Sequence, residues 1–318
     1  METACRNDRA DPGAKPRLLI TGAGGYLGYA LCRSARRQWS VTALYRKPKP
    51  AVAGVCCIQA DLTDLSGLEG LMRRLAPHAV VHAAAEARVG VCQKGPAAAE
   101  VINVQVPARL AELCEHYGIA LTFTSTDLVF GGRQAPYDET AAPDPVCVYG
   151  AQKARAEDAV RTRCRQALVC RLPLLVGLAP PPHGQDHFTR QMVSAIVQGR
   201  PLHLFVDEFR TPVDIHSAAR GLLALTGRAR GLLHLGGRSR ISRYELGLMV
   251  AERMALPAGA IRSVTIDEIP LPYQRAPDCS LDSRRAYALG YDPLPLPAAV
   301  DRMADDWRRT SSLKPAAP

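Results

Sequence analysis

Residues 17–38 read RLLITGAGGYLGYALCRSARRQ, and the architecture follows from them. Residues 17–21 are a short apolar run of the kind that forms a buried strand. Gly22, Gly25 and Gly28 come next at three-residue intervals, and a helix-like stretch continues to Gln38. Strand, glycine turn and helix in that order make a seat for the diphosphate of a dinucleotide. Glycine lets backbone N–H groups approach without a Cβ in the way, and a helix N-terminus attracts negative charge.

The pattern continues outward. Apolar runs at 40–46, 55–60, 79–85, 120–125 and 168–177 read as strands. Between them lie helical patterns: Leu65, Leu68, Leu71, Met72 and Leu75 before Pro77, then residues 96–117 closed by Gly118, then a helix from Tyr149 to about Arg165. Continuously apolar strands alternating with helices predict an α/β fold, a doubly wound parallel sheet covered on both faces. Residues 178–318 are less regular, with helices expected at 186–199, 214–227 and 242–255, strands at 202–206, 231–235 and 262–266, and dense proline from 270 to 297. The division expected is a flexible tail over 1–16, a Rossmann domain over 17–177 and a smaller α/β substrate domain over 178–318. Residues 213–240 are expected to return to the sheet.

Composition sets the limits. The chain has 318 residues, 47% hydrophobic and 22% charged, as in ordinary globular proteins. It contains no apolar run long enough for a transmembrane helix and no apolar core for a signal peptide in its first 16 residues, so a cytoplasmic protein is expected. Ten cysteines without a C-x-x-C pair read as buried reduced thiols. The net charge of +10 favours anionic partners, but the basic residues are scattered and aromatics are only 5%, which argues against nucleic acid. The eight histidines are dispersed; His82 reads as a packed core residue, and His183 and His187 lack a third ligand, so no metal site is expected.

Residue types at the strand ends point to the cofactor. An NAD-preferring site places a carboxylate after the second strand; here Arg46, Lys47 and Lys49 stand there instead. Cations pair with a 2′-phosphate, so NADPH is expected over NADH. The residues placed around it are Gly22, Gly25, Tyr26, Leu27 and Gly28 in the turn, and Arg46, Lys47, Asp61, Leu62, Ala83, Ala84 and Ala85 at strand ends. Asp61 and Leu62 are placed to face the adenine.

Tyr149-Gly-Ala-Gln-Lys153 puts a phenol and an ammonium on one helix face. The ammonium is expected to lower the tyrosine pKa and to bond the nicotinamide ribose. Ser125 and Thr126 end the fifth strand, where a hydroxyl can hold a substrate oxygen beside Tyr149.

Together, the glycine turn, the Ser-Thr strand end and Y-x-x-x-K resemble the extended short-chain dehydrogenase/reductase family. Within it, Ser125-Thr126-Asp127-Leu128-Val129-Phe130-Gly131, Pro136-Tyr137-Asp138-Glu139, Pro145 to Gly150, and Asp207 to Asp214 are similar to segments of dTDP-4-dehydrorhamnose reductases. The stretch Glu86 to Cys92 and the group Arg275-Ala276-Pro277 depart from that pattern. The resemblance implies Thr126 orienting the substrate oxygen, Tyr149 donating a proton, Lys153 assisting, and a homodimer. The substrate implied is the 4-keto group of a nucleotide-linked deoxy sugar, with Ser125, Thr126, Asp127, Arg88, Arg210 and Arg275 as candidate contacts. Two alternatives remain open. One is an epimerase of the same fold. The other is a non-catalytic NADP-binding regulatory subunit, such as that of methionine adenosyltransferase. A dehydratase fits less well, because Leu128 stands where such enzymes carry a second carboxylate.

Overall fold

The structure, a computed structural model, describes residues 14–180, 182–183 and 187–311. In chain order its first part comprises β1 (Arg17–Thr21), α1 (Tyr26–Ala35), β2 (Ser40–Tyr45), β3 (Cys56–Gln59), α2 (Gly67–Leu75), β4 (Ala79–His82), α3 (Val89–Lys94), α4 (Pro96–Glu100), α5 (Val106–Tyr117), β5 (Ala120–Thr126), α6 (Val148–Arg163) and β6 (Leu168–Leu172). Then come β7 (Leu175–Val176), α7 (Phe188–Val197), β8 (Leu202–Phe205), β9 (Phe209–Arg210), β10 (Val213–Asp214), α8 (Ile215–Leu225), β11 (Gly231–His234), β12 (Ile241–Ser242), α9 (Arg243–Arg253), β13 (Ile261–Val264), α10 (Arg284–Ala288) and α11 (Leu296–Ser311).

Seven strands form one sheet in the order β11-β6-β5-β4-β1-β2-β3, every neighbouring pair parallel. The chain is thus an α/β protein with a doubly wound Rossmann sheet, and the order reverses between β1 and β4, where such sheets bind ligands. Alternation along β1 shows why both faces are apolar. Leu18 and Ile20 pack with Leu31 of α1 and Leu222 of α8, whereas Leu19 packs on the other face with Leu110 of α5 and Val160 of α6. Each such side chain contributes roughly 1.5–3 kcal/mol of burial. A third cluster gathers Met192 of α7, Leu204 of β8, Val250 of α9, Ile261 of β13 and Val300 and Met303 of α11.

Several sequence expectations need correction. The helix expected over 96–117 is divided by a π-helical segment, Val101–Gln105. Pro107, which has no N–H for the carbonyl four residues back, stands just after it. The strand expected over 168–177 ends at Leu172, since Pro173 cannot continue the ladder; Leu175–Val176 pairs with β10 instead. The strand expected over 79–85 stops at His82, because Ala83 and Ala84 turn their N–H groups to the Thr21 hydroxyl at 3.2 and 3.3 Å. The proline-dense segment hides α10 and the 16-residue α11, which takes Pro297 in its first turn, where a missing N–H costs nothing.

Most of the expected tail lies outside the described residues, but Pro16 accepts a hydrogen bond from Ser40 N at 2.9 Å and so belongs to the sheet edge. Eight cysteines are free thiols, and all but Cys57 are buried; Cys56 is disulfide-bonded, which corrects the expectation of a reduced thiol there. Among the described residues, no helix is long and apolar enough to cross a membrane, and no group of three His, Cys, Asp or Glu can hold a metal ion.

Candidate active site

The glycine turn joins β1 to α1 at the carboxyl edge of the sheet. Gly22 has φ +68°, and a Cβ there would lie 2.7 Å from the backbone of Ala84; a Cβ on Gly28 would overlap the Gly22 carbonyl. Glycine is therefore required at both positions. Gly25 caps α1 with no side-chain bond, and the first turn of that helix carries no acidic residue. The leading N–H groups of α1 thus await an acceptor, which fits a diphosphate.

Two cavities flank the turn and share Gly22, Gly25, Ala83 and Ala85. The first, about 400 Å³, is lined by Arg46, Lys47, Asp61, Leu62 and Ala84 among others, a site suited to an adenosine half. Arg46 and Lys47 are exposed at its mouth. Asp61 takes the Thr63 hydroxyl at 2.7 Å and the Thr63 N–H at 3.0 Å, bonds that hold its carboxyl below the usual range. The second cavity, about 380 Å³, is lined by Tyr26, Leu27, Gly28, Ser125, Thr126, Asp127, Tyr149 and Lys153. The turn and all three expected catalytic residues therefore meet in one groove. The two cavities lie on either side of the Gly22 to Gly28 turn, which both of them touch.

Electrostatics refine the expected roles. Burial pushes the Tyr149 hydroxyl well up, with Cys92, Asp127 and Cys147 adding to the effect and a hydrogen bond with Thr126 opposing it. The Lys153 ammonium donates to the Thr124 carbonyl at 2.7 Å and sits 3.9 Å over the Phe123 ring. Burial lowers its own pKa to about 7, with Glu157 opposing. Thr126 donates to Asp127 Oδ1 at 3.2 Å and accepts from Leu128 N at 3.2 Å. Asp127 is buried, and desolvation raises its carboxyl against the pull of Arg210 and Arg243.

Two expected substrate contacts are otherwise engaged. Ser125 lines the cavity wall, but its hydroxyl donates to Glu157 Oε1 at 2.5 Å. Arg210 is 3% exposed and lies 3.3 Å from Asp127 and 3.2 Å from Glu208, and it donates to the carbonyls of Phe209 and Ala276. Its guanidinium holds the wall together.

A third cavity, about 600 Å³, adjoins the second through Leu128, Arg210 and Arg243, and Arg88 and Arg275 both line it. Arg88 pairs with Glu86 at 2.6 Å, and Arg275 Nε donates to Glu208 at 2.7 Å. Burial would raise the Glu208 carboxyl, but Arg243, Arg210 and Arg275 overcome this and hold it at about 2. Sequence reading missed Arg243. It lies 3.0 Å from Glu208, yet its Nη1 is buried without a partner. The one available signal was its place beside the Ser242 cap of α9, which does not distinguish it from other arginines. Three guanidiniums against Glu208 and Asp127 leave the cavity net positive, a fit for an anionic group.

Two histidines support the turn. His183 Nδ1 donates to the Gly24 carbonyl at 2.9 Å and its ring stacks on Tyr29 at 4.5 Å, while His187 stacks on Tyr26 at 3.9 Å.

This fold and groove define a dinucleotide-binding protein of the short-chain dehydrogenase/reductase type. Residues 16–309 match the RmlD substrate binding domain, and the chain belongs to that family. It is similar to methionine adenosyltransferase 2 subunit beta of Xenopus laevis, 28% identical over 316 residues that span 92% of this chain and 90% of that one. It is also similar to the probable low-salt glycan biosynthesis reductase Agl14 of Haloferax volcanii, 28% identical over 268 residues, 83% of this chain and 89% of that one. Among solved structures, dTDP-4-dehydrorhamnose reductase of Bacillus anthracis in complex with NADP superposes with a TM-score of 0.82 at 21% identity, over 92% of this chain and 99% of that chain. At that identity the likeness is one of fold.

Proposed function

We propose that the protein is an NADPH-dependent reductase acting on the 4-keto group of a nucleotide-linked deoxy sugar. The observation that carries this reading is the meeting of Thr126, Tyr149 and Lys153 in one cavity with the Gly22–Gly28 turn. Gly22, Gly25, Tyr26, Leu27 and Gly28 would hold the diphosphate and nicotinamide half of the cofactor. Arg46 and Lys47 would take the 2′-phosphate, and Asp61, Leu62 and Ala83 to Ala85 the adenosine side. When bound, the nicotinamide supplies hydride to the carbonyl carbon. Thr126 orients the carbonyl oxygen. Tyr149, which burial keeps protonated at neutral pH, gives its proton to the oxygen as the alcohol forms. Lys153 grips the ribose. Arg88, Arg243 and Arg275 present the positive wall to the sugar's diphosphate. In this reading residues 17–177 bind the cofactor and 178–318 mainly the substrate, with 213–240 completing the sheet, and the protein works in the cytoplasm as a homodimer.

A second reading, a non-catalytic NADP-binding subunit that regulates a methionine adenosyltransferase, is favoured by the 28% identity to the Xenopus subunit over nearly the whole chain. One experiment separates the two. Purified protein is given NADPH and a dTDP-4-keto-6-deoxy sugar made in situ. Stoichiometric loss of NADPH with formation of the 4-hydroxy sugar supports the reductase. NADPH binding with no consumption on any keto sugar, together with capture of a methionine adenosyltransferase catalytic chain, supports the regulatory subunit.

A further inference from the structure

Behind the second cavity lies a polar cluster that the proposed reaction does not use. Glu157 stands one helical turn beyond Lys153 and two beyond Tyr149, so the three side chains share one face of α6. Its carboxylate is almost fully buried and makes three bonds with Arg171: from Nε at 3.0 and 3.1 Å and from Nη2 at 2.6 Å. It also accepts the Ser125 hydroxyl at 2.5 Å. Arg171, on β6, spends its remaining nitrogen on His234 Nε2 at 3.3 Å and lies 4.8 Å over the Phe130 ring. His234 in turn donates from Nδ1 to the Tyr137 carbonyl at 3.1 Å. The cluster thus ties three sheet strands, β5, β6 and β11, to the helix that carries the Tyr-Lys pair.

Such a cluster is costly unless every group is satisfied. These bonds give both Glu157 carboxylate oxygens and all three Arg171 nitrogens a partner. We propose that Glu157 is the positioning residue of the Tyr149–Lys153 pair: clamped by Arg171, it fixes α6 to the end of β5 through Ser125 and keeps a negative charge behind the Lys153 ammonium.

The geometry around Lys153 supports this. Its ammonium is 2% exposed and meets the Thr124 carbonyl and the Phe123 ring, neither of which carries formal charge. The titratable groups near it are Tyr149 and Glu157 on its own helix and His82 on β4, which burial keeps neutral, with Arg171 of β6 behind Glu157. Glu157 is the carboxylate that opposes the desolvation of Lys153. Without it, Lys153 loses its proton at lower pH and can no longer act as a cation beside Tyr149.

The inference rests on the reading of Lys153 as part of the site, but its test needs neither cofactor nor substrate. It therefore fails separately from the reductase proposal. The sequence holds only six lysines, so the Lys153 ε-carbon can be followed by NMR in the full chain grown on ¹³C-lysine, with Lys153→Met identifying the resonance. The parent should titrate near 7, far below the ordinary 10.5. Glu157→Gln should lower that midpoint by about one pH unit or more. Because Glu157→Gln strands the Arg171 cation and can prevent folding, Glu157→Gln/Arg171→Met is measured as well; removing both charges together is tolerated better, and the midpoint should still fall. A folded variant whose Lys153 titrates with the parent would overturn the proposal. So would a parent midpoint near 10.5.

Discussion

Tyr149 and Lys153 sit four residues apart on α6, and burial moves them in opposite directions: the phenol holds its proton more tightly, the ammonium less. Tyr149→Phe is therefore expected to cost roughly a hundred- to ten-thousandfold in turnover while leaving NADPH affinity nearly unchanged, a split seen by comparing steady-state rates with fluorescence titration. Arg46 is exposed at the mouth of the adenosine-side cavity. Arg46→Ala should weaken NADPH roughly tenfold to a hundredfold and leave NADH unaffected, which paired titrations with the two cofactors would show. At this scale, residues with a fixed spacing were legible in the sequence: Tyr149 and Lys153, and the glycines of the turn. Ser125 and Arg210 were not. Ser125 is bonded to Glu157 across 32 residues, and Arg210 is tied to Ala276 across 66, so no local pattern reveals that their donors are engaged.

At the scale of elements, the turn between β1 and α1 works because two backbones touch. Gly22→Ala would force a Cβ into the Ala84 backbone at a φ of +68°, and it is expected to cost at least about 1 kcal/mol and to abolish dinucleotide binding. Urea unfolding and NADPH titration of the same sample check both halves. Helix α11 is one of the elements not legible in the sequence, and Met303 on it is 1% exposed in the third apolar cluster. Met303→Ala should cost about 2–5 kcal/mol, measured as a shift in the urea midpoint without a change of slope. The strands of the sheet were legible because burial on both faces makes them continuously apolar. The π-helical segment was not, since it depends on where Pro107 and the buried Asn103 side chain fall against Glu86 and Gln152.

For the whole molecule, three histidines set the response to acid: His82 and His234, which are buried, and His187, which is half-buried. Burial lowers His82 and His187 from 6.5 to about 3, and His234 to about 4, aided by the nearby cations Lys153, Arg243 and Arg171 respectively. Below 6.5 the unfolded chain takes up protons at these sites that the folded chain refuses. Stability is therefore present above about 6.5 and falls as pH drops toward 3–4. The urea midpoint should decline steeply between pH 7 and pH 5, with net proton uptake on unfolding; a flat profile would contradict these environments. Glu208, held at about 2, extends the loss in the same direction below 4.5. The sheet and its groove were visible from the order of strands, turn and Tyr-Lys pair, but the Glu208 cluster depends on Arg210, Arg243 and Arg275 converging from separate segments. The reaction proposed for this groove moves hydride from NADPH to a sugar ketone, with Tyr149 supplying the proton. The most direct measurement uses NADPH deuterated at the transferable position, a dTDP-4-keto-6-deoxy sugar, and mass spectrometry of the product. Deuterium is expected at C4 of the sugar with the parent protein and almost none with Tyr149→Phe; bound NADPH that leaves every such sugar unlabelled would contradict the proposed reaction.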